Sequence, residues 1–485
     1  MSIIQAEHLT FAYPGGEPVF DDVSFQVDTD WKLGFTGRNG RGKTTFLRLL
    51  AGELEYAGTI TASVKFDYFP YRVPDPARPV GEVLGRLCPE AQEWELVREL
   101  SALEVEREAL DRPFASLSHG ERTKVLLSAL FLNEGRFPLI DEPTNHLDAR
   151  GRELVSRYLS RKRGFILVSH DRRFLDGCVD HILSLNRADI QVRSGSFSAW
   201  LEEFQRRQQT ELDQDQQLRR DIKRLRQSAR RAEGWSERVE ASKTGASDKG
   251  YVGHMAAKAM KRAKSIEARR QQAADRKAEL LKNLERTEPL KLTPLEHHAA
   301  VLAEFDHAAI RYGETPACLP ASFQVRRGER VILEGKNGSG KSSLLKALVG
   351  QPLEYTGRIE TAPGLIVSYV PQDTGHLRGG LGEFAREQGI SESLFKTILR
   401  KMDFERALFE QDMASFSQGQ KKKAVLAASL CRPAHLYVWD EPLNYIDLYS
   451  RMQIEELLRQ YSPTMLLVEH DRAFQEAVGA RQVSL

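Results

Sequence analysis

The chain has 485 residues, 41% of them hydrophobic, and a formal net charge of only +2. That length allows about two to four domains, and the composition is that of a globular protein able to bury more than one core. Four widely spaced cysteines (Cys88, Cys178, Cys318, Cys431) with no CxxC argue against a disulfide framework or zinc site and suit a reducing cytosol. The start "MSIIQAEHLTFAY" lacks a signal pattern, and no run approaches 18 apolar residues, so a cytoplasmic protein without a membrane span is expected.

The first strand-length apolar run that matters is "LGFTG", which leads into "GRNGRGKTT" from Gly37 and the helical pattern "KTTFLRLLAG". This matches GxxxxGK[ST] in the strand–loop–helix context that the motif requires. Gly37, Gly40 and Gly42 let the backbone turn its N–H groups around phosphates, with Asn39 and Thr45 in the same nucleotide-binding set. Lys43 reaches the terminal phosphates, and Thr44 offers a hydroxyl to Mg²⁺. Further on come "YFPY" with Tyr71, "SLSHGE" with Ser118 and Gly120, and the strand "FPLIDE". That strand ends in Asp141, placed to hold Mg²⁺ through water, and Glu142, placed to polarise an attacking water. A last strand, "FILVSH", ends at His170.

From about Ser196 to Leu290 the character changes. Between Trp200 and Arg286 there are 22 Lys+Arg against 14 Asp+Glu, a net of +8 that leaves −6 for the rest. No glycine or proline interrupts Trp200 to Glu233, where Leu218, Ile222 and Leu225 recur at helical spacing. A second uninterrupted stretch begins at His254 and carries Met255, Ala259, Ala263 and Ile266 on one face. Gly234, Gly245, Gly250 and Gly253 cluster between them, so the segment reads as an antiparallel helical hairpin with a basic tip. Some 33 residues per helix reach about 50 Å. A basic stripe on an otherwise acidic body suggests a polyanion contact confined to this segment.

After the hairpin the first part of the chain is repeated. "GKNGSGKSS" begins at Gly335, 298 residues after Gly37, and supplies Gly335, Asn337, Gly338, Gly340, Lys341, Ser342 and Ser343. "SFSQGQ" puts Ser417 and Gly419 299 residues after their counterparts, and "WDEPLNYID" does the same for Asp440 and Glu441. "LVEHD" places His470 300 residues after His170. The chain is therefore read as two copies of one α/β domain, residues 1–195 and 291–485, joined by the linker at 196–290.

The order of these motifs, with "LSHGE" and "FSQGQ" as signature sequences, resembles the nucleotide-binding domains of ABC ATPases. The resemblance implies two ATP molecules held head to tail within one monomer, each phosphate loop facing the signature of the other copy. One site would join Lys43, Thr44, Asp141, Glu142 and His170 to Ser417 and Gly419. The other would join Lys341, Ser342, Gln372, Asp440, Glu441 and His470 to Ser118 and Gly120. Catalysis would fall to Glu142, Glu441, His170 and His470. Thr44, Asp141, Ser342, Gln372 and Asp440 would attend the Mg²⁺, and Tyr13 and Tyr312 would stack on adenine. The copies differ: Tyr71 stands where Gln372 stands in the second, and Leu443, Tyr445 and Ile446 replace Thr144, His146 and Leu147. The first site is expected to be the slower one.

Two such domains without a membrane span, joined by a basic hairpin, resemble the ABC-F proteins. That family implies a hairpin entering the ribosomal E site, its tip near the P-site tRNA and the peptidyl-transferase centre of the 50S subunit and its 23S rRNA. Arg238, Lys243, Lys249, Lys258, Lys261, Arg262 and Lys264 would then meet phosphates, and Tyr251 and His254 would stack on bases. "EPLNYID", "FSQGQ" and "DKGYVGHMAAKAMKRAK" look like the branch that protects ribosomes against lincosamides, pleuromutilins and streptogramin A drugs. From phosphate loop to signature there are 73 residues in the first copy and 74 in the second, which leaves no room for an inserted arm in the first. Two other classes compete. One is the ATPase of an exporter, which would purify with membranes. The other is a DNA-repair ATPase, whose activity DNA would stimulate; neither membrane nor DNA is the expected partner.

Overall fold

The structure, a computed structural model, describes residues 2–16, 18–133, 135–186, 190–241, 261, 265, 268, 271, 288–313, 315–316 and 318–485. Contacts divide the chain into two units: residues 1–185, 190–197 and 287–485 form one, and residues 186–189 with 198–286 form the other. The first unit holds both α/β halves.

In the first half the strands are β1 (Ile3–Ala12), β2 (Pro18–Asp28), β3 (Lys32–Thr36), β4 (Ala57–Ala62), β5 (Lys65–Phe69), β6 (Arg136–Asp141), β7 (Phe165–Val168), β8 (His181–Leu185) and β9 (Ile190–Ser194). They make an antiparallel sheet, β2–β1–β4, and a second sheet in the order β5–β6–β7–β3–β8–β9. The second sheet is parallel except for its last pair. The second half repeats this with β10 (Val301–Tyr312), β11 (Thr315–Pro316), β12 (Ala321–Arg326), β13 (Arg330–Glu334), β14 (Glu354–Thr361), β15 (Val367–Val370), β16 (Leu436–Asp440), β17 (Met465–Val468) and β18 (Arg481–Ser484). Its parallel sheet runs β15–β16–β17–β13–β18. β7 and β17 are buried along their whole length, which is why both read as unbroken apolar runs rather than alternating ones. The three apolar runs singled out in the first copy, "LGFTG", "FPLIDE" and "FILVSH", lie on β3, β6 and β7 of its parallel sheet.

Packing aims the phosphate loops. The helix Lys43–Leu50 follows β3 and drives Phe46, fully buried, among Phe20, Phe25 and Phe35 at ring distances of 6.0, 5.1 and 5.0 Å. With that apolar face anchored, the first turn of the helix cannot rotate away from the sheet edge. Leu344, Leu345 and Leu348 anchor the helix Lys341–Leu348 in the same way.

In the other unit, one helix runs from Phe197 to Ala241, 45 residues. It passes through Gly234, which the sequence reading had placed in the turn. One interior glycine costs a helix only about 1 kcal/mol, and the following "WSERVEA" continues the helical pattern. Arg238 lies on this helix. Lys261 is helical and exposed, as are Ser265, Ala268 and Gln271. The expected turn, the rest of the return stretch with its packing, and Lys243, Lys249, Tyr251, His254, Lys258, Arg262 and Lys264 fall outside the described residues. Among the described residues, no helix is long and apolar enough to cross a membrane.

Candidate active sites

Each phosphate loop closes on itself around its lysine. Lys43 Nζ donates to the carbonyls of Gly37 and Arg38 at 2.8 and 3.1 Å and to Asn39 Oδ1 at 3.3 Å. Lys341 Nζ donates to the carbonyls of Gly335 and Lys336, both at 2.8 Å. Gly42 and Gly340 cap the two helices with left-handed backbones, φ 95° and 80°. At Gly42 a Cβ would come within 2.4 Å of Val19, so no other residue fits there without displacement. Tyr13 and Thr45 share a hydroxyl hydrogen bond of 2.9 Å, and Tyr312 and Ser343 share one of 3.0 Å. Both tyrosine rings are otherwise exposed beside the loops.

At the strand ends, Thr44 Oγ1 donates to Asp141 at 2.7 Å and Ser342 Oγ to Asp440 at 3.0 Å. Beyond this the halves part. In the second half Ser342 also reaches Gln372 Oε1 at 3.4 Å. In the first, Tyr71 faces away: its hydroxyl donates to Asp67 at 2.5 Å and accepts from Asn133 at 3.1 Å. Instead Tyr68 donates to Asp141 at 3.0 Å. The matching Tyr369 hydroxyl is buried and makes no hydrogen bond.

Glu142 and Glu441 both sit in the left-handed region, φ 49° and 46°. That is an uncommon backbone for glutamate, and one that clusters at functional sites. Burial, reinforced by the charge of Asp141, pushes the Glu142 carboxyl up to about 8. Burial also works against the Glu441 carboxylate, but the neighbouring His470 and Gln372 outweigh it and hold Glu441 below the usual range. His170 Nε2 lies 3.2 Å from Glu142 Oε1 and 3.2 Å from Asn39 Oδ1, and burial followed by the Lys43 charge pushes its pKa well down. His470 Nε2 lies 3.7 Å from Glu441 Oε1, and Asn444 donates to that carboxylate at 2.5 Å. Asp440 is pushed up to about 6, mainly by burial.

The two "LSHGE"-type segments begin helices. Ser118 and Ser417 are N-caps that accept from the backbone N–H of Glu121 and Gln420 at 3.2 and 3.3 Å. Glu121 and Gln420 each reach back to the serine N–H at 2.8 Å, so the Glu-to-Gln difference leaves the capping box intact. Each segment meets the opposite half through an asparagine. Asn39 donates to the Tyr445 carbonyl at 2.9 Å, and Gly419 packs so tightly on that carbonyl that a Cβ would lie 2.6 Å from it. Asn337 donates to the His146 carbonyl at 3.2 Å, with Gly120 beside the same oxygen. Between the first phosphate loop and the second signature lies a cavity of about 690 Å³, lined by Asn39, Gly40, Thr44, Glu142, Ser417 and Gly419 among others. Arg38 ties this junction further, with Nη1 2.9 Å from Asp403 and its guanidinium over the Tyr449 ring.

These groups fit a nucleotide triphosphate with a divalent cation. The hydroxyl–carboxylate pairs are the hard oxygen donors that Mg²⁺ takes, and Asp440 Oδ2 is buried without a hydrogen-bond partner. Of the residues expected from sequence, those of the phosphate loops, strand ends and signatures come together at two junctions between the halves. The sequence reading missed Tyr68 and Arg38. Tyr68 is invisible because a strand tyrosine beside Phe69 reads as sheet packing. Arg38 is invisible because its partner lies 365 residues away.

An ABC transporter family model matches residues 20–145 and 319–444, together more than half of the chain. The ribosome protection protein VmlR of Bacillus subtilis is 27% identical over 486 residues, covering 95% of this chain and 82% of that protein. The energy-dependent translational throttle protein EttA of Mycobacterium tuberculosis is 26% identical over 516 residues, covering 95% and 87%. The fold also resembles a chain from the complex of archaeal ribosomal stalk protein aP1 and archaeal ribosome recycling factor aABCE1. There the TM-score is 0.66 at 20% identity, covering 99% of this chain and 87% of that one.

Proposed function

The chain belongs to the ABC transporter family and is an ATP-hydrolysing protein, and on that premise we propose that it is an ABC-F ATPase that works on the ribosome. The observation that carries this reading is the pairing of its own two halves. The first phosphate loop and the second signature line one cavity within a single chain, so no partner subunit is needed to complete the site. The basic linker supports an RNA partner, since its net +8 is set against an otherwise acidic chain. Relatives named for ribosome protection and translational throttling support the same choice.

In this reading Lys43 and Lys341 hold the terminal phosphates, and Tyr13 and Tyr312 stack on the base. Thr44 with Asp141, and Ser342 with Asp440 and Gln372, hold Mg²⁺, which when bound neutralises charge developing on the phosphates. Glu142 and Glu441 take the proton of the attacking water, each oriented by the adjacent His170 or His470. Ser417 and Gly419, and Ser118 and Gly120, close over the phosphates with helix N-terminal N–H groups. Closure sets the linker for entry to the E site. Its basic residues meet 23S rRNA and the P-site tRNA, and hydrolysis releases the protein.

The finer reading is ribosome protection against lincosamide, pleuromutilin and streptogramin A drugs, supported by "EPLNYID", "FSQGQ" and the extended basic tip. A housekeeping translation-factor role is the second reading, because EttA matches about as well as VmlR. The test is cosedimentation of the Glu142→Gln, Glu441→Gln double variant with 70S ribosomes. ATP-dependent enrichment over the nucleotide-free control is expected, and its absence rejects the ribosomal reading. Drug resistance in a sensitive host then separates protection from the housekeeping role.

A further inference from the structure

Lys422 is a fully buried lysine in the helix Gln418–Cys431, one turn behind the second signature. A buried ammonium needs partners, and a carboxylate is the usual one. Here the hydrogen bonds go to main-chain carbonyls instead: Pro371 at 2.9 Å, Asp440 at 3.1 Å and Gln372 at 3.4 Å. Three carbonyls from two separate segments are thus gathered on one cation. Two of those segments' side chains, Gln372 and Asp440, belong to the second candidate site, while the start of the Lys422 helix lines the first. A second tie runs alongside, from Thr374 Oγ1 to Gln418 Oε1 at 3.2 Å. Among the described residues the first half has neither. Thr123 stands at the position of Lys422 and donates to His119 of its own helix at 3.0 Å, and Val73 stands at the position of Thr374.

We propose that Lys422 is a positioning residue that couples the metal- and water-holding groups of the second ATP site to closure of the first. It clamps the Gln372 loop and the end of β16 to the helix whose N-terminus faces the first phosphate loop. A shift of that helix when the first site closes is transmitted to the groups that hold metal and water in the second. In the first half Thr123 at the Lys422 position makes no such tie, its hydrogen bond staying within its own helix.

The inference rests on the proposed roles of Glu142 and Glu441, so the test isolates each site with them. Lys422→Met and Lys422→Arg are made in the Glu142→Gln background, which reads the second site, and in the Glu441→Gln background, which reads the first. Lys422→Met is expected to lower kcat on the order of tenfold in the Glu142→Gln background, with KM for ATP changed less than about twofold. In the Glu441→Gln background the change stays within about twofold, and Lys422→Arg recovers most of the loss. Thermal melts confirm folding, and Lys422→Gln replaces Lys422→Met if the latter does not fold. Equal effects in both backgrounds, no effect, or a change confined to KM would overturn the inference alone. A Glu142→Gln, Glu441→Gln double variant that still turned over ATP would overturn the glutamate assignment and the inference with it.

Discussion

Tyr68 and Tyr71 lie three residues apart and face opposite ways. Tyr71 stands where the second half has Gln372, yet its hydroxyl is spent on Asp67 and Asn133, away from the strand-end carboxylates. Tyr68 donates to the same Asp141 oxygen as Thr44, but a phenol on that carboxylate is no substitute for an amide beside the water. Glu142 differs as well, its carboxyl pushed up by burial and Asp141 while Glu441 is held down. Both differences point the same way. In ATPase assays, Glu441→Gln is expected to remove most of the turnover and Glu142→Gln a minority; equal losses would show that the sites are equivalent despite these contacts.

Helix starts carry both stability and chemistry here. The N-cap serines accept from the backbone with their lone pairs, which leaves each O–H free to donate to a group held opposite. Capping and signature function therefore coexist in one side chain, and they separate experimentally. Without nucleotide, Ser417→Ala is expected to cost about 1 kcal/mol in denaturant unfolding, because one N–H of the first helical turn loses its acceptor. Gln420→Glu is expected to change stability by less than about 0.5 kcal/mol, since Glu121 makes the same back-bond in the first half. A Gln420→Glu loss as large as that of Ser417→Ala would mean that charge at this point, not capping, sets the difference between the signatures.

The whole molecule joins an α/β body whose halves interlock to a helical segment of opposite charge. Across the halves, Arg172 lies 2.7 Å from Glu455, and Arg173 with Glu476 and Arg472 with Glu153 form further ion pairs. Arg451 donates to the His170 carbonyl at 3.1 Å, joining one half's helix to the other half's site. If the linker alone contacts RNA, replacing Lys258, Lys261, Arg262 and Lys264 together by Glu should abolish ATP-dependent cosedimentation with ribosomes. Basal ATPase activity should stay within about twofold, because none of these residues belongs to the candidate sites. The parent's ribosome binding should fall steeply between 50 and 200 mM salt, on the order of 10³-fold if several phosphates are contacted. Loss of basal activity in the quadruple variant would place the linker charges in the ATPase cycle itself.

Local chemistry was legible in the chain because it is written at short range. A phosphate loop needs its glycines, lysine and hydroxyl within nine residues, a strand-end acid pair needs two, and a repeat at one nearly constant offset exposes two domains without any contact being known. The buried parallel strands were equally plain as continuous apolar runs. Register and direction were not. That Tyr71 turns outward, that Tyr68 replaces it, that Arg38 finds Asp403, and that Lys422 gathers carbonyls from two segments all depend on segments meeting in space, some tens of residues apart and, for Arg38 and Asp403, 365 apart. Gly234 shows the converse at short range: a helix-breaking residue gave way because one glycine's cost is small beside the helical preference on either side. Residue type and spacing determined which chemistry this protein carries. Only the tertiary packing decided which groups share a site and how Tyr68, Tyr71 and Glu142 sit within it, because hydrogen bonds and burial act over a few ångströms in space, not along the chain.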